Sequence, residues 1–112
     1  MPLLTSNVIL YKRMETIYYI TSTESPNVPV HIKINKDTGG AVLGFSNKQT
    51  AEAYLSVMEL PSIYRVVSNN DIDQNSFYGK ESLLMFKNIT EIEQAYKDKN
   101  NYDWSQLLTK WP

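Results

Sequence analysis

Leu43-Gly44-Phe45-Ser46-Asn47 leads into a helical pattern ending near Met58, and Leu84-Met85-Phe86-Lys87-Asn88 leads into a second ending near Lys99. In both, an apolar run closes on Phe, one residue intervenes, Asn follows and a helix begins. Each phrase describes a strand feeding a helix through a tight, capped turn. Ahead of the first phrase, Val30, Ile32 and Ile34 alternate with His31, Lys33 and Asn35. That period of two marks a strand with one buried and one wet face. Asp37-Thr38-Gly39-Gly40 supplies a turn with two residues able to take positive φ. Ala41 to Phe45 returns as the partner strand, so residues 29–46 read as a hairpin running into a helix.

Ser46 and Gln49 have the spacing of a capping box. Ala51, Tyr54, Leu55 and Met58 follow at i, i+3, i+4 and i+7, and Pro61 stops the helix. Downstream, Thr90 with Glu93 forms a second capping box and Asn88 with Glu91 a competing one; Ile89, Ile92 and Tyr96 make the apolar stripe. Asp103 and Gln106 cap a third expected helix, with Trp104, Leu107, Leu108 and Trp111 on one face. Further strands are expected at Asn7–Lys12, Thr16–Thr21, Ser62–Ser68 and Leu83–Lys87. Thr23–Pro29 is a proline-bearing loop, and residues 69–81 lack periodicity. Short connections favour antiparallel pairing, and the later helices can cover one side of the sheet. The reading is a single α+β domain over residues 1–112. Its sheet is mainly antiparallel, with five or six strands, and two to three helices (near 47–59, 89–99 and 103–111) pack mostly on one face.

Composition narrows the function classes. The chain has 112 residues, 42% of them hydrophobic, enough for one globular core. Eleven basic and twelve acidic residues leave a net charge of -1, so no strong field steers the chain to nucleic acid or an anionic membrane. There is no cysteine, which removes disulfides, thiolate nucleophiles and Cys-type metal sites. Val8-Ile9-Leu10-Tyr11 is too short for a signal-peptide core, Lys12-Arg13 lies after it, and no run is long enough to span a membrane. A soluble, cytoplasmic protein is expected. Nucleotide-binding glycine loops, HExxH and GxSxG are all absent. No cofactor or metal site is expected.

Few residues can carry chemistry. His31, the only histidine, sits on the polar side of its strand. As a general base it needs a carboxylate brought near by the fold, with Glu24 and Asp71 as candidates. Asp71-Ile72-Asp73-Gln74-Asn75 opens like a calcium loop, but Ser76 and Ser82 stand where Gly and Glu are required. The long 69–81 loop carries Phe77 and Tyr78, which either anchor a partner or fold back onto the core. Tyr18-Tyr19 places one ring on each side of a strand, and an exposed sheet tyrosine can stack RNA bases; no basic patch accompanies it. The two C-terminal tryptophans are expected to pack on their own domain.

Ile17-Tyr18-Tyr19-Ile20, the Gly-containing turn, the strand ending Phe45-Ser46 and the helix with Ala51, Ala53 and Tyr54 resemble the N-terminal module of SseB-like proteins. The resemblance spans residues 16–58; Gly44 stands where that family usually has Pro, and the chain from Ile63 has no counterpart. It implies a small α+β binding or regulatory module without established catalytic residues. The expected function is therefore a non-catalytic interaction or regulatory module. Its contact surface is formed by Phe77 and Tyr78 with His31 and Lys33 of the hairpin, its partner is another protein, and an edge strand offers a route to a homodimer. The alternatives are a small enzyme built on His31 and an RNA-binding sheet.

Overall fold

The structure is a computed structural model, described for residues 15–35 and 39–112. The expected strand Asn7–Lys12 and turn residues 36–38 lie outside the described residues. Six strands occur among the described residues: β1 (Tyr18–Ser22), β2 (His31–Asn35), β3 (Gly39–Phe45), β4 (Tyr64–Ser68), β5 (Ser82–Phe86) and β6 (Leu108–Thr109). Two α-helices join them, α1 (Lys48–Val57) and α2 (Ile89–Lys97). The strands form one sheet in the order β4-β1-β3-β5-β6, with β2 also paired to β3. All pairs are antiparallel except β3 with β5, which run parallel with Phe45 beside Phe86. The architecture is α+β, as the sequence suggests, and the two quoted phrases are its adjacent central strands.

The repeat is structural as well as textual. Asn47 and Asn88 are the N-caps of α1 and α2, each extended and each accepting from the backbone N–H three residues on, Thr50 and Glu91. The Ser46–Gln49 and Thr90–Glu93 capping boxes are therefore corrected by one and two residues. Ser46 instead donates its hydroxyl to the Lys87 carbonyl at 3.1 Å, and Asn47 Nδ2 donates to the same oxygen at 3.1 Å. These bonds tie the first junction to the second, because parallel pairing sets the two strand ends side by side.

β3 shares one edge between two partners. Tyr18 of β1 pairs with Phe45 at one end, and β2 pairs with β3 from Val42 back to Gly39. Val30 stands at the fork, donating its N–H to Ile20 O (2.8 Å) and accepting from Leu43 N–H at its carbonyl (3.0 Å). Gly39 enters β3 at φ +71°, the left-handed region glycine enters without cost. Gly44 is needed for another reason: a Cβ there would lie 2.9 Å from Leu83 Cδ1 and 3.2 Å from Ile17 Cγ2.

Both sides of the sheet are apolar. On the helix side Ile20, Ala41, Leu43, Phe45, Leu84 and Phe86 pack beneath α1 and α2. Phe45 and Phe86 stack at 5.8 Å, and Tyr54 of α1 meets both rings. Each such aromatic stabilises the fold by roughly 1.5–3 kcal/mol through burial alone. On the other side Ile17, Tyr19, Val42, Val67 and Leu83 are covered by Ile72 and Phe77 of the 69–81 loop, with Trp111 against them. Expecting cover mostly on one face is correct for the helices; the second face is closed by irregular chain.

The expected helix 103–111 is replaced. Trp104–Leu107 forms one 3-10 turn capped by Asp103, and Leu108–Thr109 then pairs with β5 as β6. The open edge of β5 offers ladder hydrogen bonds that a short terminal helix would forgo. The apolar stripe is consequently divided. Trp104 and Leu107 pack on the helix side, Leu108 is exposed, and Trp111 crosses to the loop side. Both tryptophans do pack on their own domain.

Candidate functional site

His31 opens β2 and points to the loop-covered side, level with Val42 of β3. Lys33 follows two residues on, exposed on the same side. The parallel register of β3 and β5 sets Ser82 beside Ala41, which delivers Glu81 to this end of the hairpin. His31 Nε2 lies 2.8 Å from Glu81 Oε2, and Nδ1 lies 2.8 Å from the Pro29 carbonyl. Both partners are acceptors, so a ring that donates from both nitrogens satisfies both contacts at once. The expected carboxylates take other roles. Asp71 accepts from the Ser68 N–H (2.9 Å) and hydroxyl (3.1 Å), and Glu24 sits on the exposed 23–29 loop.

An open cleft of about 360 Å3 surrounds the pair, lined also by Val28, Pro29, Phe77 and Lys80. Val28 is 57% exposed, an apolar side chain left in water beside the cleft. Among the described residues, neither Lys33 nor Lys80 has a carboxylate within 4.0 Å.

Phe77 and Tyr78 part company. Phe77 is only 5% exposed and meets Tyr19 edge-on at 5.4 Å, so it belongs to the core and is corrected as a surface anchor. Tyr78 stays at the surface with its ring 5.0 Å from that of Trp111 and its hydroxyl donating to the Pro112 carbonyl. Trp111 Nε1 donates to Glu81 O at 2.7 Å. Glu81 thus holds the C-terminal segment with its carbonyl and the hairpin with its carboxylate. Nothing local in the sequence marks Glu81; its role appears once the parallel register is known.

The other candidates are absorbed by the fold. Asp73 caps the backbone N–H of Asn75 at 3.0 Å, and no grouping of three or more metal-ligating side chains occurs among the described residues. Tyr19 is fully buried, its hydroxyl donating to Gln74 Oε1 at 2.7 Å. Burial, with Tyr78 nearby, holds its phenol well above the usual tyrosine range. Tyr18 is half-buried on the helix side. With both sides covered, the sheet offers no open tyrosine platform among the described residues. No described helix is long and apolar enough to cross a membrane. No protein-family model, curated protein or solved structure matches the chain.

Proposed function

We propose that the protein is a non-catalytic interaction module that takes a protein partner over the hairpin face around His31 and Lys33, with Val28, Tyr78 and Lys80 beside it. The observation that carries this reading is the state of the His31–Glu81 pair. Both ring nitrogens are engaged, one by a backbone carbonyl, in a cleft open to solvent. A general base needs a free nitrogen aimed at a substrate proton; here the ring works as a clasp between hairpin and loop. Around the clasp, an exposed valine and two lysines without carboxylate partners among the described residues offer apolar contact and charge, the usual ingredients of a recognition surface. The resemblance of residues 16–58 to SseB-like modules agrees with a binding role.

The test uses the full chain as bait for partner capture. Val28→Asp and Lys80→Glu, separately and together, are expected to reduce capture at least tenfold with unchanged far-ultraviolet circular dichroism. Capture that is indifferent to both substitutions removes this surface. The enzymatic alternative has the 2.8 Å His31–Glu81 contact in its favour. A hydrolytic activity abolished by Glu81→Gln, with fold retained, would replace the interaction reading.

A further inference from the structure

We infer that the partner taken by this face is a second copy of the same chain, added strand to strand at the outer edge of β2; the inference rests on the interaction reading above. Three strand edges lack a neighbour among the described residues, and they differ in what they leave open. β6 has two residues. In β4, the bonds Asn69 N–H to Ile17 O (3.0 Å) and Thr23 N–H to Ile63 O (2.9 Å) fix the alternation, so Tyr64, Val66 and Ser68 turn their backbone groups outward. Half of those groups are already used. Tyr64 N–H donates to Pro61 O, Ser68 N–H to the Asp71 carboxylate, and Ser68 O accepts from Asp71 N–H at 2.9 Å. The β4 edge is closed by its own chain on either side of Val66.

β2 is different. The bond from Leu43 N–H to Val30 O sets the opposite alternation, in which His31 and Lys33 direct both N–H and C=O away from β3. None of these four groups has a partner among the described residues. A second copy related by a two-fold axis at Ile32 sets His31 opposite the second copy's Lys33, and four backbone hydrogen bonds form. On the helix side, half-buried Ile32 then meets its own copy and Val30 meets Ile34. On the loop side, each Lys33 arrives opposite the other copy's His31, whose ring lies between it and Glu81. At a net charge of -1 the two copies repel weakly. The bulge between Lys33 and Asn35 ends the usable edge. The ladder is therefore short, and the association is reversible and concentration-dependent.

Sedimentation and amide hydrogen exchange on the full chain, from low-micromolar to near-millimolar concentration, test this. The expected result is a monomer–dimer equilibrium in which protection of the His31 and Lys33 amides rises with concentration. Lys33→Pro, which deletes one outward N–H and keeps every bond to β3, abolishes the dimer. A chain that stays monomeric throughout overturns the inference. So does protection independent of concentration, which assigns the edge to an occupant from the same chain such as residues 1–14. Self-association that survives this substitution places the contact elsewhere and overturns it too. A monomer whose partner capture still depends on Val28 and Lys80 ends this inference alone, whereas capture indifferent to those residues ends the interaction reading with it.

Discussion

The helix-covered and loop-covered sides of the sheet bury similar residue types by different means. α1 and α2 satisfy their own backbones internally and present whole apolar faces to Phe45, Leu84 and Phe86. The 69–81 loop must settle its polar backbone bond by bond. Asp71 caps Ser68, Asp73 caps Asn75, the Gln74 carbonyl accepts from the Phe77 and Tyr78 N–H groups, and Ile72 and Phe77 supply the apolar cover. A sheet can thus be closed by irregular chain when short polar side chains take over the helix's hydrogen bonding. The Asn, Asp and Ser that make the segment look like surface are what allow it to lie against a core.

Truncation separates the two sides most strongly. Phe86→Ala, at a fully buried ring touching Phe45, Tyr54 and Trp104, is expected to cost about 4 kcal/mol and to lower helicity, as read by urea denaturation and circular dichroism. Phe77→Ala should cost about 3 kcal/mol with helicity retained. A cost below about 1 kcal/mol would make the loop a loose cover instead of a core layer.

Alkali probes both sides at once. Burial raises the phenol of Tyr19 on the loop side and of Tyr54 on the helix side, where Tyr96 adds to the effect. The unfolded chain therefore releases these protons first. Their contribution is complete below the unfolded value near 10 and falls as pH rises above it, by about 1.4 kcal/mol per pH unit for each tyrosine. Phenolate absorbance from these two residues should appear only with unfolding. Tyr19→Phe and Tyr54→Phe should each flatten the alkaline fall by a similar amount; an effect from one alone would show that the other side opens independently.

The caps give the smallest contrast. Asn88→Ala should cost about 1 kcal/mol, and Asn47→Ala somewhat more, because Asn47 also binds Lys87 O across the two junctions. Equal losses in thermal denaturation would show that the cross-junction bond contributes nothing.

The hairpin, the two strand-to-helix junctions and both α-helices are legible in the sequence because alternation, stripe and breaker agree locally. The parallel pairing of β3 with β5 is not, since only the assembled sheet decides which strand end lies beside which. Glu81 is invisible for the same reason. The stripe Trp104, Leu107, Leu108 and Trp111 misleads because helical spacing also serves a chain that turns once and then crosses a sheet edge. For the candidate surface, alternation correctly puts His31 and Lys33 on one side of β2. Phe77 is ambiguous, because an aromatic in a polar loop carries no local mark of which way it faces.

Trp104 and Trp111 have come to rest on opposite sides of the sheet, Trp104 against Phe86 and Tyr96 and Trp111 against Phe77 and Tyr78. Each is a built-in fluorophore for one layer. Trp104→Phe leaves an emission that follows the loop layer, and Trp111→Phe one that follows the helices. If the layers melt together, the two signals share one midpoint; if they do not, the interval between the midpoints measures how independently this small sheet sheds its covers.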